Sequence, residues 1–259
     1  MTKKDNIQIY PEKTIEFFDS ISEKYGEKNT TPELELKSND LIADILLNSS
    51  NSFMILDAGC GNASFIKRIA NNNKFHIIGI DFSSKMLEVG KRRLNRHNNV
   101  KFVQAVVENL PFKNNIFDRI SLINISPTLL NKQQFLDTLK EIARVSLPYA
   151  KLYLNIWNSW NPILAIKCRR HDMENRPLKT YSSFNMNKLF KKASFKIKRK
   201  FYLADDKIDY GSLKRYKKWY KKLGQLIYLY LSRFFIFSPV IVFEAQVDKK
   251  YSNEKEVKK

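Results

Sequence analysis

The sequence predicts an α/β fold with a doubly wound, mostly parallel sheet of seven strands. Between Ser52 and Arg144, short apolar runs alternate with amphipathic helical stretches. That alternation is typical of consecutive βαβ units, whose strands pair in parallel. A fifth apolar run over residues 151–156 and two more after residue 180 bring the strand count to seven. A chain of 259 residues is long enough to bury a single core of this size.

The predicted strands are short runs rich in Ile, Val, Leu and Phe. In chain order they cover residues 53–56, 75–80, 100–103, 117–123, 151–156, 195–203 and 240–247. Between them, apolar residues at spacings of three and four predict helices, among them one over residues 132–145 and one near 185–192.

Helical spacing also precedes and follows this alternating region. Ile15, Phe18, Ile21 and Tyr25 predict one helix face, and a second helix is predicted around residues 34–46. We expect one domain over residues 1–248, in which residues 1–50 form a helical cap. Residues 158–180 and 204–238 are expected to be insertions near an acceptor site, and residues 249–259 a polar tail. Within the second insertion, apolar spacing over residues 213–237 predicts a long amphipathic helix.

Composition restricts the classes of site and compartment. The two cysteines, Cys60 and Cys168, form no CxxC or Cys/His cluster, which argues against a disulfide framework and a structural zinc. The sequence therefore predicts no metal site. Residues 1–10 lack the apolar run of a secretory signal, so we expect a cytoplasmic protein. The formal charge is +20, and residues 165–235 hold 20 Lys/Arg against 5 Asp/Glu. Such a region is either a solvated basic face or a surface for phosphates or anionic lipids.

The most informative segment is a glycine turn between a strand and a helix. The predicted strand ends in Asp57, and the turn carries Gly59 and Gly61. Glycine suits a tight turn that passes close to a ligand, where a Cβ would collide with it. Asp81 ends the next strand, 20 residues after Gly61, and is placed to accept hydrogen bonds from ribose hydroxyls. Two acids at neighbouring strand ends therefore predict a nucleoside site.

The details of this turn favour one nucleoside cofactor over another. A pyrophosphate binder requires a third glycine and no acid before the turn, whereas this chain has Ser64 and Asp57 at those positions. S-adenosylmethionine has no phosphate and carries an amino group and a sulfonium. An acid beside the turn is favourable for this cofactor, so the sequence predicts an S-adenosyl-L-methionine site.

Several motifs in order resemble the class I S-adenosylmethionine-dependent methyltransferases, specifically the methyltransferase type 11 group that includes ubiquinone/menaquinone-biosynthesis enzymes. The resemblance covers roughly residues 17–157. The matching segments are residues 17–25, 56–61, 79–83 with 86–87, 108–112, 117–118 and 139–145. The resemblance implies a Rossmann-like sheet whose last strand is antiparallel.

The resemblance also implies roles for individual residues. Asp57, Gly59 and Gly61 would hold the methionine moiety, and Asp81 the ribose. Phe82 and Met86 would pack on the adenine, although ordinary core packing explains them equally well. The remaining expected site residues are Asn124 and Ile125 on the methyl-transfer side, Val107 and Glu108 of the third motif, and Tyr25 of the opening helix.

Three positions depart from the family's pattern. Val106 replaces an acid that binds the adenine amine, so either a backbone carbonyl serves there or cofactor affinity is lower. Ala63 replaces a frequent glycine, and residues 147–150 (Leu-Pro-Tyr-Ala) replace a glycine-rich turn before the fifth strand.

A catalytic residue is not required for alignment-driven methyl transfer, and a general base matters only if the acceptor must lose a proton. His76 lies in a predicted strand and His97 at a helix end, which favours structural roles for both. His171, in the basic insertion, is the one candidate base.

Three hypotheses remain open for the function, and two of them differ in the methyl acceptor. Lysines beside aromatic residues in the predicted helix 213–237 suit contact with an anionic membrane, which would admit a lipid-like or other small-molecule acceptor. The same basic region suits RNA, and residues 154–157 and 176–181 faintly resemble tRNA wobble-uridine methyltransferases. A non-catalytic cofactor-binding scaffold is the third hypothesis.

Overall fold

The computed structural model describes residues 12–26, 33–125, 131–161, 180–204 and 238–248. Within these ranges the chain forms one sheet of seven strands with helices packed against it. No helix in this part of the chain has the length and apolar character needed to cross a bilayer. His171, the tail, the predicted helix over 213–237 and most of both predicted insertions lie outside the described residues.

The sheet has the order β3-β2-β1-β4-β5-β7-β6. The strands are β1 Phe53–Ala58, β2 Phe75–Asp81, β3 Val100–Gln104, β4 Phe117–Leu122, β5 Ser146–Trp157, β6 Phe195–Leu203 and β7 Val240–Val247. Strands β1 to β5 pair in parallel, whereas β7 runs antiparallel to both β5 and β6. The predicted doubly wound sheet with an antiparallel last strand is confirmed.

The helices are α1 Glu12–Ile21, α2 Glu33–Leu47, α3 Ile66–Ile69, α4 Ser84–Arg93, α5 Lys132–Val145 and α6 Ser183–Lys192. Three of them begin at a side chain that accepts a hydrogen bond from a backbone N–H of the first turn. The capping residues are Ser83, Asn131 and Ser182, before α4, α5 and α6. Each cap satisfies a donor that the helix cannot pair internally, which fixes where the helix starts.

The apolar core lies on both faces of the sheet, as a doubly wound fold requires. On one face Leu56 packs in a cluster with residues of α5 and α6, and on the other Ile55 packs with residues of α2 and α3. Adjacent strand residues point to opposite faces, which explains why β1 is apolar at consecutive positions. Full burial of one such side chain stabilises the fold by about 1.5–3 kcal/mol.

The antiparallel strands are joined by a buried acid. Glu244 of β7 is 2% exposed and binds Lys151 of β5 at 2.9 Å and Arg199 of β6 at 2.6 Å. Burial alone would raise the pKa of Glu244, but the hydrogen bonds and charges of Lys151 and Arg199 lower it. Because both partners are partly exposed, solvent screens these pairs.

The first helix is shorter than the apolar spacing predicts. Tyr25 was expected on the face of α1, but α1 ends at Ile21 and residues 22–26 form turns. Ser22 donates from both its N–H and its hydroxyl to the carbonyl of Asp19, and Gly26 has a φ of +80°. Although the N–H of Tyr25 still donates to the carbonyl of Ile21 at 2.9 Å, the chain turns over residues 22–26, and Tyr25 lies over the carboxyl ends of the strands.

Candidate active site

The glycine turn follows β1 directly and is fastened to the end of β2. The N–H groups of Gly59 and Cys60 both donate to the carbonyl of Ile80, at 2.9 and 2.8 Å. Gly59 and Gly61 have φ values of +77° and +52°, a region that glycine adopts at little cost. A Cβ on Gly59 would also lie 2.6 Å from Cδ1 of Ile125. The backbone angle therefore favours glycine at position 59, and any larger residue there would also displace the end of the Ile125 side chain.

Asp81 connects this turn to the start of α4. Its Oδ2 accepts from the N–H of Gly61 and its Oδ1 from the N–H of Ser83, both at 2.9 Å. Burial raises the pKa of Asp81 to about 6, although the backbone hydrogen bonds from Ser83 and Gly61 act in the opposite direction. The carboxylate is held in one orientation at the mouth of the turn, and its remaining lone pairs can accept further hydrogen bonds.

Asp57 lies behind the turn at the end of β1. It is 2% exposed, and the hydroxyl of Ser121 donates to its Oδ1 at 2.6 Å. Burial raises the pKa of Asp57 to about 7, and the charge of Asp81 raises it further against the effect of the Ser121 hydrogen bond. Two buried carboxylates in mutual repulsion favour a cationic ligand beside them. S-adenosylmethionine carries such charge on its ammonium and sulfonium groups, so this donor set fits that cofactor.

A cleft that is partly open to solvent lies over these strand ends, and its space counted together with the adjoining solvent is about 490 Å³. The cleft is lined by Phe18, Tyr25, Gly59, Gly61, Asp81, Phe82, Met86, Ala105, Val107, Ile123, Asn124 and Ile125.

Most of the residues expected at the site therefore line this cleft. Two of the expected residues, Asp57 and Glu108, do not. Asp57 is beneath the turn, and Glu108 accepts a hydrogen bond from the side chain of Gln134 on α5. The sequence did not point to Ala105 or Ile123 as site residues. Each directly follows a parallel strand, β3 and β4, and this position was the signal that could have identified them.

The segment from α1 through residues 22–26 covers one side of the cleft. The ring of Phe18 packs edge-on against Phe82, with centroids 5.8 Å apart. Nδ2 of Asn62, a fully buried residue, donates to the carbonyls of Ser22 at 2.6 Å and Tyr25 at 2.7 Å. This cover is therefore joined to the glycine turn itself.

Tyr25 places a hydroxyl among polar groups of the cleft. Burial raises its pKa, with further contributions from the charges of Glu35 and Asp81, while a hydrogen bond with the Asn124 side chain acts to lower it. Burial also raises the pKa of Glu35 to about 7. Glu35 belongs to α2 and was missed by the sequence analysis, because nothing in its local pattern marks it as close to Tyr25.

The remaining sequence candidates occupy structural positions. Val106 is 1% exposed and its carbonyl accepts from the N–H of Asn109 at 3.2 Å, so both explanations for the missing acid stay open. His76 lies near the amino end of β2, opposite the cleft end. His97 pairs through Nε2 with Oδ1 of Asn71 at 3.0 Å.

Comparisons with known proteins agree with this geometry. Residues 55–148 match the family described as a methyltransferase domain. A demethylmenaquinone methyltransferase of Staphylococcus saprophyticus is 34% identical over 142 residues, which cover 53% of this chain and 59% of that protein. The match thus spans less than two thirds of that relative. A mouse protein named as a probable tRNA methyltransferase 9B is 27% identical over 133 residues, covering 50% of this chain and 28% of that protein.

A solved structure extends the likeness over most of the chain. It is a complex between the Haloferax volcanii Trm112 methyltransferase activator and a methyltransferase candidate. One chain aligns with a TM-score of 0.68 at 15% identity, covering 89% of this chain and 97% of its own length. At this identity the likeness establishes the fold alone. Residues 55–148 are therefore similar to a methyltransferase domain, and the described residues share the fold of that solved structure.

Proposed function

We propose that this chain is an S-adenosylmethionine-dependent methyltransferase whose acceptor is a small, lipid-like molecule. The observation that carries the proposal is the pair of buried carboxylates, Asp57 and Asp81, on either side of a glycine turn that opens into a cleft. Such a site suits a cationic nucleoside and disfavours a pyrophosphate, which would bring two more negative charges to the same place.

Each part of the cofactor has a matching group in the cleft. Asp81 would accept hydrogen bonds from the ribose hydroxyls, and Phe82 and Met86 would pack against the adenine. Gly59 and Gly61 would let the methionine moiety approach the backbone, with Asp57 behind them supplying negative charge. The cofactor, when bound, supplies an activated methyl group on sulfur.

The chain's own contribution to the reaction is alignment and exclusion of water. Phe18 and Tyr25 cover the cleft, and Ile123 and Ile125 form an apolar wall beside the end of β4. When such a cleft holds both reactants in line, binding has already met the entropy cost of bringing them together, and the barrier to reaction is lower. Burial also removes competing water from the reactive carbon.

The acceptor is proposed from the relatives and from this apolar wall. Several curated relatives, at 30–34% identity, are demethylmenaquinone methyltransferases. An aromatic quinol suits a cleft bordered by Phe18, Ile123 and Ile125 because its ring is apolar while its oxygens need only a few polar partners. A quinol that resides in lipid would also require the protein to approach a membrane from the cytoplasmic side.

A tRNA substrate is the second candidate. The mouse relative named as a probable tRNA methyltransferase supports it. The segment 183–204 also supports it, because its sequence contains seven Lys and Arg and no Asp or Glu. Phosphate contacts of that kind would make binding to bulk tRNA fall steeply with salt.

Incubation with methyl-labelled cofactor and separately fractionated lipids, RNA, protein and small molecules tests the proposal. Label should appear in the lipid fraction, and with purified demethylmenaquinol in its ring. The variant Asp81→Ala is the control and should transfer no methyl group. Label in RNA would replace the first candidate with the second, and no label in any fraction would leave a non-catalytic scaffold.

Flotation with vesicles of anionic and neutral phospholipid tests the membrane contact separately. The protein should float with anionic vesicles at low salt and less at high salt, because the attraction is electrostatic. Failure to float under either condition would contradict the membrane part of the proposal and leave the methyltransferase part standing.

A further inference from the structure

The loop after β3 forms the side of the cleft next to Asp81 and Phe82. Two of its residues, Ala105 and Val107, line the cleft. The N–H of Ala105 donates to the carbonyl of Asp81 at 3.1 Å. Nε2 of Gln104, the last residue of β3, donates to the carbonyl of Phe82 at 3.0 Å. An adenine that packs on Phe82 would therefore have this loop as its neighbour.

The residues of this loop that line the cleft are small and apolar. The resemblance implies an acid for the adenine amine at position 106, but Val106 is apolar and 1% exposed. Its carbonyl already accepts from the N–H of Asn109 at 3.2 Å. Without an acid at this position, recognition of the base depends more on how closely Ala105 and Val107 pack against it, and so on the position of the loop.

Two residues in the last turn of α5 hold this loop from outside the cleft. Oε1 of Glu141 accepts from the N–H of Leu110 at 2.8 Å. Nη2 of Arg144 donates to the carbonyl of Leu110 at 3.0 Å, and its Nη1 donates to the carbonyl of Phe112 at 2.8 Å. Neither Glu141 nor Arg144 lines the cleft. The loop backbone is therefore attached to α5 by three hydrogen bonds.

The two residues of α5 also fix each other. Nε and Nη2 of Arg144 donate to the two carboxylate oxygens of Glu141, at 2.9 and 2.6 Å. Such a double contact orients the planar guanidinium group. The side chain of Glu141 is 17% exposed and that of Arg144 34%, so solvent screens the pair only in part. The guanidinium group is thus held in the orientation that reaches both carbonyls.

We propose that Glu141 and Arg144 are positioning residues which hold the loop after β3 against the adenine and so give the site its preference for ligands that carry the base. The inference rests on the proposed function and refines it. Neither side chain touches the cofactor or the acceptor, and both act through the backbone of residues 105–112.

Two ligands that differ only in the base test this role without turnover. The wild-type protein and Arg144→Ala are titrated calorimetrically with S-adenosylhomocysteine and with S-ribosylhomocysteine, which has a hydroxyl in place of the adenine. The wild-type protein should bind the adenine-containing ligand about hundredfold more tightly, as burial of one ring system implies. Arg144→Ala should reduce this ratio to about tenfold or less, because a loosened loop packs less closely on the base.

Affinity for S-ribosylhomocysteine separates positioning from a general structural effect. In Arg144→Ala it should change by no more than about threefold, whereas a general loss of structure would lower both affinities together. Glu141→Ala should reduce the ratio as well. Adding it to Arg144→Ala should lower the ratio little further, because both residues hold the same loop.

Arg199→Ala is the matched control. Arg199 of β6 is likewise bound to a carboxylate, that of Glu244 in β7, at 2.6 Å, but neither of these residues lines the cleft. The carboxylate of Glu244 keeps Lys151 as a partner when Arg199 is removed. The control variant should therefore fold and keep the wild-type ratio.

Arg144→Lys provides a second test if the alanine variant does not fold. A lysine keeps the charge beside Glu141, but its single ammonium group cannot reach the carbonyls of Leu110 and Phe112 together, so the ratio should fall to about thirtyfold or less. A wild-type ratio in either Arg144 variant, or independent losses that add in the double variant, overturns the inference alone. Equal binding of both ligands by the wild-type protein does the same. Absence of S-adenosylhomocysteine binding to the wild-type protein overturns the proposed function and this inference with it.

Discussion

Five non-glycine residues of the described part occupy backbone conformations that favour glycine, and two of them, Ala63 and Tyr149, stand where the resemblance implies glycine or a glycine-rich turn. Ala63 and Tyr149 each have a φ of +65°. Ala63 is fully buried, so its methyl group contributes packing that offsets the strain. Tyr149 is 68% exposed, at the turn early in β5, and gains little from burial. The strain at Tyr149 is therefore uncompensated.

Tyr149→Gly should increase the free energy of unfolding by about 0.5–1 kcal/mol, since the left-handed strain exceeds the entropy that glycine adds to the unfolded chain. Urea unfolding measures this difference. Tyr149→Ala is the control, because it removes the ring but keeps the strained angle, and it should give no such gain. Equal stabilisation by both variants would attribute the effect to the ring and not to the backbone.

Asp57 combines a cost in stability with a benefit in binding. Its pKa of about 7 in the folded protein lies above the ordinary value of 3.8. The folded state thus retains this proton at a pH where the unfolded state has lost it. Its contribution to stability is fully present below the ordinary pKa and declines as pH rises towards 7. A cationic ligand beside the carboxylate would reverse that loss.

Asp57→Asn should therefore flatten the decline in unfolding free energy between pH 4.5 and 7.5. At pH 7.5 we expect the variant to be about 1–2 kcal/mol more stable than the wild-type protein in the absence of ligand. Thermal unfolding across this range measures it, with Asp137→Asn, an exposed acid, as the control. A parallel decline in wild type and variant would show that Asp57 is not the titrating group.

At the scale of elements, the cover over the cleft is attached by aromatic packing of Phe18 and by several polar contacts. Asn62 donates to the carbonyls of Ser22 and Tyr25, Arg93 donates to the carbonyls of Glu23 and Tyr25, and the hydroxyl of Ser83 donates to Asp19. The ion pair of Arg92 with Glu23 is two-thirds exposed at both ends and contributes little. The bond from Asn62 to Ser22 is the buried one of these hydrogen bonds, so we expect Asn62 to contribute most.

Asn62→Ala should loosen the cover without loosening the sheet. Amide hydrogens of residues 12–26 should exchange faster by about tenfold or more, as expected for the loss of two buried hydrogen bonds, while those of β1 and β4 should be unaffected. Hydrogen–deuterium exchange by mass spectrometry measures both. Asn99→Ala, which removes comparable bonds to the carbonyls of Ala70 and Phe75, is the control and should spare residues 12–26. Uniformly faster exchange in the Asn62 variant would contradict a local role.

Element prediction succeeded where the pattern is local and failed where tertiary contacts decide. All seven strands were predicted because each is marked by a short run rich in apolar residues, yet β5 begins at Ser146, five residues before the predicted start. Its first residues include Pro148 and the strained Tyr149, which no strand pattern identifies, and Ser146 is placed by pairing with Phe117. Likewise α1 ends before Tyr25, at turns whose carbonyl at Tyr25 accepts a hydrogen bond from Asn62, 37 residues away.

The same limit applies to the site when the molecule is considered as a whole. Gly59, Gly61 and Asp81 were predicted because a turn and an acid at fixed spacing after two strands specify them. Glu35 and Asn155 were not, because Glu35 comes close to Tyr25 from α2 and Asn155 contacts Asn124 across 31 residues. Side chains that act through a neighbour leave no spacing in the sequence.

Whole-molecule charge and local charge have opposite signs in this protein. The net charge is +20, whereas the cleft is built around Asp57 and Asp81. Exposed charges are screened beyond about 8–10 Å at physiological ionic strength, while buried carboxylates act at short range with little screening. The local pair should therefore decide which cofactor binds, and the basic surface should affect only the approach of anionic partners.

Equilibrium binding of S-adenosylhomocysteine and of NAD⁺, measured by calorimetry on the wild-type protein and on Asp81→Asn, tests the central claim most directly. We predict binding of S-adenosylhomocysteine, no comparable binding of NAD⁺, and a loss of about tenfold or more in the variant, whose amide cannot accept from both backbone N–H groups. Preferential binding of NAD⁺, or equal S-adenosylhomocysteine affinity in both proteins, would contradict the account.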